Sequence, residues 1–139
     1  MIRKRILTLA LLAIMLFAMA VPSFATDNGV MPCLNNTDLT EAVFVITDDG
    51  EAIVSCSCVG YEGITSRIII EIKIQRKVLW WWSNVDGASW TDETTQDYLH
   101  VEHSTQLSKS GTYRAVITYT VYGSGGEADV LTSEIEKKY

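Results

Sequence analysis

A run of alternating residues near the C-terminus most constrains what this chain can fold into. From Tyr113 to Tyr122 the sequence alternates with a period of two. One side carries Tyr113, Ala115, Ile117, Tyr119 and Val121, the other carries Arg114, Thr118, Thr120 and Tyr122, and only Val116 departs from the pattern. Such alternation is typical of a half-buried antiparallel strand. Because the apolar side needs a second sheet to cover it, the pattern predicts a β-sandwich.

The residues that precede this strand add a turn signal. Leu107, Gly111 and Tyr113 resemble the tyrosine corner of Greek-key sandwiches, in which a Tyr at the start of the sixth strand donates its hydroxyl to nearby backbone. In antibody domains a Cys lies two residues after this Tyr, whereas this chain has Ala115. The inter-sheet disulfide of antibody domains is therefore not expected.

Six further segments after residue 40 have strand patterns and turn signals. The full set of predicted strands covers residues 41–47, 51–60, 66–77, 78–85, 96–105, 113–122 and 129–135. Asp86-Gly87 predicts a turn or loop over residues 84–89, and a polar connection is expected over 91–95. No helical period occurs after the N-terminal segment. The expected fold is an all-β, immunoglobulin-like Greek-key sandwich of about seven antiparallel strands, with a small Greek-key barrel as the alternative.

The N-terminus has the pattern of a secretory signal peptide. A basic segment, Arg3-Lys4-Arg5, precedes an apolar run of about 16 residues and a small-x-small site at Ser23-Phe24-Ala25. A membrane anchor needs about 20 apolar residues, so cleavage after Ala25 is the preferred interpretation. We predict a signal peptide over residues 1–25, a polar N-terminal arm over 26–39 and the sandwich domain over 40–139. The mature protein is expected to be secreted, with no membrane contact after cleavage.

The charge balance of the predicted mature chain excludes some partners. Removal of the signal leaves eight basic and seventeen acidic residues, a net charge of −9. A chain of this charge repels nucleic acid and anionic lipid, so neither is expected as a partner. The remaining candidate partner is an unknown protein or glycan at the cell surface.

Three cysteines occur in a chain predicted to enter an oxidising compartment. Cys56 and Cys58 lie on the same side of one strand, where they are poorly placed to bond each other. The predicted disulfide therefore joins Cys33 to Cys56 or Cys58, with the partner left open. The remaining thiol is interpreted as a small buried apolar residue.

Several motifs between Ile68 and Tyr139 carry a resemblance to a known class of proteins. They are Ile72-Lys-Ile-Gln-Arg-Lys77, the group Trp80–Trp82, Ser110-Gly-Thr-Tyr-Arg114, Val121-Tyr-Gly123 and the segment Glu127–Tyr139. In these the chain is similar to small secreted proteins of Gram-positive bacteria whose function is uncharacterised. The resemblance implies export and a single immunoglobulin-like domain. It implies no catalytic residue.

The tryptophans are the main candidate for a binding surface. In a strand, Trp80 and Trp82 would share one face and Trp81 would lie on the other, so one side must meet solvent or a partner. Exposed flat aromatic rings can stack on sugar rings, which makes Trp81 and Trp90 the candidate ligand-binding residues. The alternative places Trp80 and Trp82 in the core and Trp81 partly under long side chains.

No pattern predicts catalysis, a cofactor or a metal site. His100 and His103 lie on opposite faces of one strand and cannot bind one metal together. Neither Asp48-Asp49 nor Asp92-Glu93 has the spacing of a calcium loop. The cysteines lack an activating base, and an apolar strand face raises a thiol pKa. The sequence therefore predicts a secreted, non-catalytic interaction or structural module, with a carbohydrate- or cell-wall-binding module as the alternative.

Overall fold

The computed structural model describes residues 33–139, which form seven β-strands and their connections. The predicted signal peptide and residues 26–32 of the predicted arm lie outside the described residues. The strands are β1 Thr37–Ile46, β2 Glu51–Gly60, β3 Thr65–Val78, β4 Trp81–Thr94, β5 Tyr98–Gln106, β6 Thr112–Gly123 and β7 Asp129–Lys138. Residues 33–139 contain no helix, and hence none with the length and apolar character to cross a membrane.

The strands form two antiparallel sheets. One has three strands in the order β1-β2-β5, and the other has four in the order β4-β3-β6-β7. The prediction of an all-β protein with seven antiparallel strands in two layers is confirmed. The finer description as an immunoglobulin-like Greek key stays a prediction. The fourth strand pairs with β3, whereas antibody constant domains place it in the sheet of the first, second and fifth strands.

The core lies between the apolar faces of the two sheets. The four inward-facing isoleucines of β3 are fully buried, and so is the alternating face of β6 on which the fold prediction rested. The Tyr119 hydroxyl reaches across the core and donates to the Glu41 carbonyl at 2.9 Å. The buried apolar positions are Phe44, Ala52, Val54, Cys56, Cys58, Ile68, Ile70, Ile72, Ile74, Ala88, Leu107, Tyr113, Ala115, Ile117, Tyr119 and Val121.

The loop between β5 and β6 is fixed by the predicted corner residues. The Tyr113 hydroxyl donates to the Lys109 carbonyl, four residues upstream, at 2.5 Å. Leu107 is buried, and its amide donates to the Gly50 carbonyl at 2.8 Å. Gly111 has a φ of 150° and lies against the Arg76 guanidinium, so an added Cβ would approach the Arg76 Nε to 3.2 Å. The loop is therefore held to β3 and to the β1–β2 turn.

The prediction for the fourth strand is wrong in its bounds. Val78 ends β3, and β4 continues through the predicted loop and the predicted polar connection to Thr94. The register passes from Lys73↔Ser89 to Gln75↔Asn84, so residues 85–88 form a large bulge opposite one residue of β3. Val85 and Ala88 of the bulge pack on the core. Asp86 and Gly87 thus form part of a bulge and do not end β4. The reason is that β3 pairs with β4 both before and after the bulge.

The first strand begins at Thr37, four residues earlier than predicted, because polar side chains anchor it. The Asp129 carboxylate accepts hydrogen bonds from the amides of Asn35 and Asn36, at 3.0 and 2.7 Å, and from the Thr37 hydroxyl at 3.0 Å. Asn36 and Thr37 are fully buried as a result. The Asn36 side chain also accepts from the Gly125 amide at 3.1 Å. These contacts fasten the start of β1 to the β6–β7 turn.

The protonation state of Asp129 should therefore control stability at low pH. Burial by itself would raise the pKa of Asp129, but the hydrogen bonds from Asn35, Asn36 and Thr37 outweigh it and lower the pKa. Because the folded-state pKa lies below the unfolded value of about 3.9, the stabilisation is present above about pH 4 and is lost as the pH falls through the folded-state pKa.

We expect Asp129→Asn to lower the free energy of unfolding at pH 7 by about 1–3 kcal/mol, because an amide cannot accept all three hydrogen bonds. The difference from wild type should shrink on acidification, as measured by urea denaturation over a pH series. Glu127→Gln is the matched control, since the exposed Glu127 side chain makes no hydrogen bond within residues 33–139 and only its backbone carbonyl accepts them. An Asp129→Asn protein as stable as the control at pH 7 would contradict this account.

Candidate functional site

The hairpin between β3 and β4 ends in three exposed apolar residues, which we call the tryptophan tip: Leu79, Trp80 and Trp81. Val78 pairs with Trp81, so the connecting loop has only two residues. Leu79 is 72 % exposed, Trp80 82 % and Trp81 45 %. The rings of Trp80 and Trp81 meet edge to face, with centroids 5.1 Å apart and planes 82° apart. The tip is therefore a protruding apolar wedge and not a flat platform.

The backbone of the tip is strained. Leu79 has a φ of 57°, and it is the one non-glycine residue with positive φ among residues 33–139. This conformation costs roughly 1–3 kcal/mol for a residue with a side chain, and glycine or asparagine normally occupies it. Soluble hairpins also place polar residues in such loops. The exposed pair Leu79-Trp80 has neither glycine or asparagine at the positive-φ position nor polar side chains. An interaction made by these two side chains with a partner would explain their presence in the loop.

A cavity of about 390 Å³ opens behind the tip, between the β3–β4 hairpin and the β5–β6 loop. Its volume lies within the range of small-ligand pockets. Val78 lines the cavity and pairs with Trp81, and cross-strand partners lie on the same face of a sheet. Trp81 therefore faces the side on which the cavity opens. The polar and charged lining residues are Arg76, Ser83, Asn84, Asp86, Gln106, Ser108 and Lys109.

Arg76 is the most constrained cation of the cavity. Its Nη2 donates to the Ser110 carbonyl at 3.0 Å. Its Nε is fully buried and has no hydrogen-bond partner among the described residues. No carboxylate lies within salt-bridge distance of Arg76 in the described part of the chain. A buried donor without an acceptor is costly, so the site is electrostatically suited to an anion.

Trp82 lies on the outer face of the four-stranded sheet, opposite Lys77. The Arg114 guanidinium is 4.5 Å and the Lys77 ammonium 5.7 Å from its ring centroid. Arg114 is held in turn by Gln75 and Glu134, each at 2.8 Å. Trp82 is thus half-buried beneath two cations, which stabilise it by cation–π interaction and cover part of its surface.

Trp90 does not join Trp81 in one binding surface. It lies opposite Ile72, on the inner face of β4, and its ring stacks on His103 of β5 at 4.9 Å with planes 8° apart. The His103 Nε2 is 2.6 Å from the Asp92 carboxylate. The three side chains close the edge of the sandwich between β4 and β5. Trp90 therefore has a packing role, and the two tryptophans predicted from the sequence as one site are separated.

The cysteines do not form the predicted disulfide in this structure. Cys56 and Cys58 are buried on the inner face of β2, whereas Cys33 is exposed ahead of β1, and all three thiols are free. Burial raises the pKa of the Cys56 and Cys58 thiols to about 11 each. Both thiols are consequently protonated at neutral pH and poorly nucleophilic. They act as small core residues.

The two histidines lie apart, on opposite faces of β5. His100 is exposed on the outer face of β5, and His103 faces the core edge described above. Within residues 33–139 no three side chains of His, Cys, Asp or Glu are grouped as ligands for a metal ion. The structure thus places the tip, the cavity and several cations close together. From the sequence alone, only the run of tryptophans was recognised as a group.

Comparisons with protein-family models, with curated proteins and with solved structures give no match. The resemblance to small secreted proteins of Gram-positive bacteria stays a prediction.

The accessibility of the thiols offers a simple test of this arrangement. We expect one thiol per molecule, that of Cys33, to react with Ellman's reagent at pH 8, because the other two are buried and protonated. All three should react after denaturation in guanidinium chloride. Cys33→Ser should abolish the fast reaction of the native protein. Two or more rapidly reacting thiols in the native state would show that the β2 face is not buried as described.

The tryptophans should differ in their effect on stability. We expect Trp90→Ala to lower the free energy of unfolding by about 2–3 kcal/mol, because it removes a packed ring beside the core. Trp80→Ala should change it by no more than about 0.5 kcal/mol, as for other exposed positions. Trp81→Ala should lie close to Trp80→Ala. Urea denaturation followed by circular dichroism provides the measurement. A Trp81→Ala variant as unstable as Trp90→Ala would place Trp81 in the core.

Proposed function

We propose that this protein is a non-catalytic binding domain that acts at the cell surface or outside the cell and contacts its partner through the tryptophan tip. The observation that carries the proposal is the tip itself, in which a strained two-residue loop and the first residue of β4 expose three consecutive apolar side chains. Trp is enriched among the residues that dominate the energy of protein interfaces. A two-residue hairpin presents the rings with little conformational freedom to lose on binding.

The absence of an activated nucleophile in the site supports a binding role over an enzymatic one. The two buried thiols are protonated, and His103 is engaged with Asp92 and Trp90. The cavity behind the tip has two cations and one carboxylate, without an arrangement of base and nucleophile. The proposed export rests on the signal-peptide pattern of residues 1–25, and the proposed immunoglobulin-like topology on the seven-strand pattern with Tyr113.

A carbohydrate- or cell-wall-binding module is the second candidate. The exposed rings of Trp80 and Trp81 favour it, as do the polar side chains in the adjacent cavity. The perpendicular arrangement of the two rings favours it less, because a flat sugar chain can stack on only one of them. Trp90 supports it little, since it is partly buried and one face of its ring stacks on His103 at the edge of the core.

The proposal is tested by retention on a purified cell-envelope fraction and on a glycan array. We expect the processed protein to be retained on the envelope fraction, and the double variant Trp80→Ala/Trp81→Ala to be released. Val130→Ala is the matched control, because Val130 is 67 % exposed on β7, far from the tip. Retention of a natively folded double variant at the wild-type level would refute the tip as the binding surface. Glycan binding that is lost with Trp81→Ala alone would favour the carbohydrate candidate.

A further inference from the structure

We infer that the end of the domain bearing the tryptophan tip docks on an anionic lipid bilayer, with the tip entering the interfacial region and the surrounding cations facing the headgroups. This inference rests on the proposed function, since it names the partner of the same surface. It revises the expectation from net charge that no membrane is bound. At contact, a bilayer interacts with the charges near the docking surface more strongly than with the net charge of the molecule.

The basic residues of this acidic domain are gathered around the tip. Residues 33–139 contain eight Lys and Arg, and six of them lie at this end of the four-stranded sheet or in the loop beside it. The register places Arg76, Tyr113 and Lys137 in one row, and Lys138 lies one residue nearer the end, opposite Thr112. The six are Arg76, Lys77, Lys109, Arg114, Lys137 and Lys138.

Acidic residues also lie at this end. Asp86 lines the cavity, Glu136 pairs in register with Arg114, and Glu134 forms a salt bridge with Arg114 at 2.8 Å. Asp48, Asp49 and Glu51 lie in or directly after the β1–β2 turn near Tyr139. The other ten acidic residues of the described chain share the rest of the domain with two cations, Arg67 and Lys73. The charges are therefore unevenly distributed. Most of the cations, five of them outside any salt bridge among the described residues, lie at the end that carries the most exposed apolar residues.

This combination matches the chemistry of an anionic bilayer surface. Tryptophan and leucine partition into the interfacial region of a membrane, and each Lys or Arg held near anionic headgroups strengthens binding about five-fold. The distant carboxylates oppose binding weakly, because charges more than about 8 Å from the surface are screened at physiological ionic strength. The net charge of the protein therefore does not predict how this end of the domain interacts with an anionic bilayer.

The cavity behind the tip adds a place for a headgroup. Its walls include Arg76, which lacks a carboxylate partner among the described residues, and Lys109. A phosphate entering from the bilayer side would meet both cations with a single opposing carboxylate, Asp86. A neutral glycan would gain little from this arrangement, which is why the charges favour a lipid surface over a neutral polysaccharide.

Vesicle binding tests the inference directly. The probe is the processed protein, purified after export with its N-terminus determined by mass spectrometry, and sedimented with vesicles of phosphatidylcholine alone or mixed with phosphatidylglycerol. We expect binding to the mixed vesicles, a blue shift of tryptophan emission, and a loss of affinity as salt is raised. Trp80→Ala should weaken partitioning on the order of tenfold, and Lys77→Gln about five-fold.

Two matched controls separate the tip from general effects. Lys73→Gln changes the same residue type on the same face of β3, four residues and about 13 Å farther from the tip, and should leave partitioning unchanged. Val130→Ala removes an exposed apolar side chain on β7 and should also have no effect. Because all variants share the same processed N-terminus, residues ahead of β1 cannot account for a difference among them.

Three outcomes would overturn the inference. They are absence of sedimentation with the mixed vesicles, equal affinity for neutral and anionic vesicles, and binding that Trp80→Ala and Lys77→Gln leave intact. Loss of envelope retention on Trp80→Ala/Trp81→Ala without any vesicle binding would leave the proposed function standing and refute the lipid surface as partner. Binding to an anionic polysaccharide with no binding to vesicles would refute it in the same way.

Discussion

The four inward-facing isoleucines of β3 are the constraint on which the rest of the structure depends. Ile68, Ile70, Ile72 and Ile74 are fully buried, and β3 pairs with β4 on one side and β6 on the other. Burying each such side chain contributes about 1.5–3 kcal/mol, which fixes β3 at the centre of the four-stranded sheet. Beyond Ile74 the strand leaves the core and continues to Val78. This extension, which pairs with β4 as far as Val78↔Trp81, carries the tryptophan tip beyond the last buried isoleucine.

The fold was predictable from the sequence wherever one face of a strand is buried. The second strand was predicted over residues 51–60, and its bounds agree with β2, because every second residue from Ala52 to Cys58 is apolar and turn residues bound the run on both sides. The fourth strand was not predictable in the same way. Asp86-Gly87 has the composition of a turn whether the chain reverses or bulges there, and the pairing partners that decide between the two lie on β3. Local sequence does not contain that information.

The tryptophans show the same limit at the candidate site. A period of two places Trp80 beside Trp82, but the chain reverses at Leu79 and Trp80, so Trp80 lies in the loop and shares no strand face. The pairing of Trp90 with His103 also depends on contact between the edges of two sheets. The run of tryptophans is evident in the sequence, and Trp80 and Trp81 are exposed in the structure. Only the topology shows that Trp81 and Trp90 lie in different environments.

The clustering of cations around the tip is the feature that was least predictable from the sequence. The cations around the tip come from β3, the β5–β6 loop, β6 and β7, segments separated by up to about sixty residues. In the sequence they are diluted by seventeen acidic residues, and the net charge indicates repulsion from any anionic partner. Antiparallel pairing brings the end of β3, the start of β6 and the end of β7 to one end of the sheet. A polarised surface can thus form in a chain whose composition points the other way, since electrostatic attraction at contact depends on the charges within a Debye length of the partner.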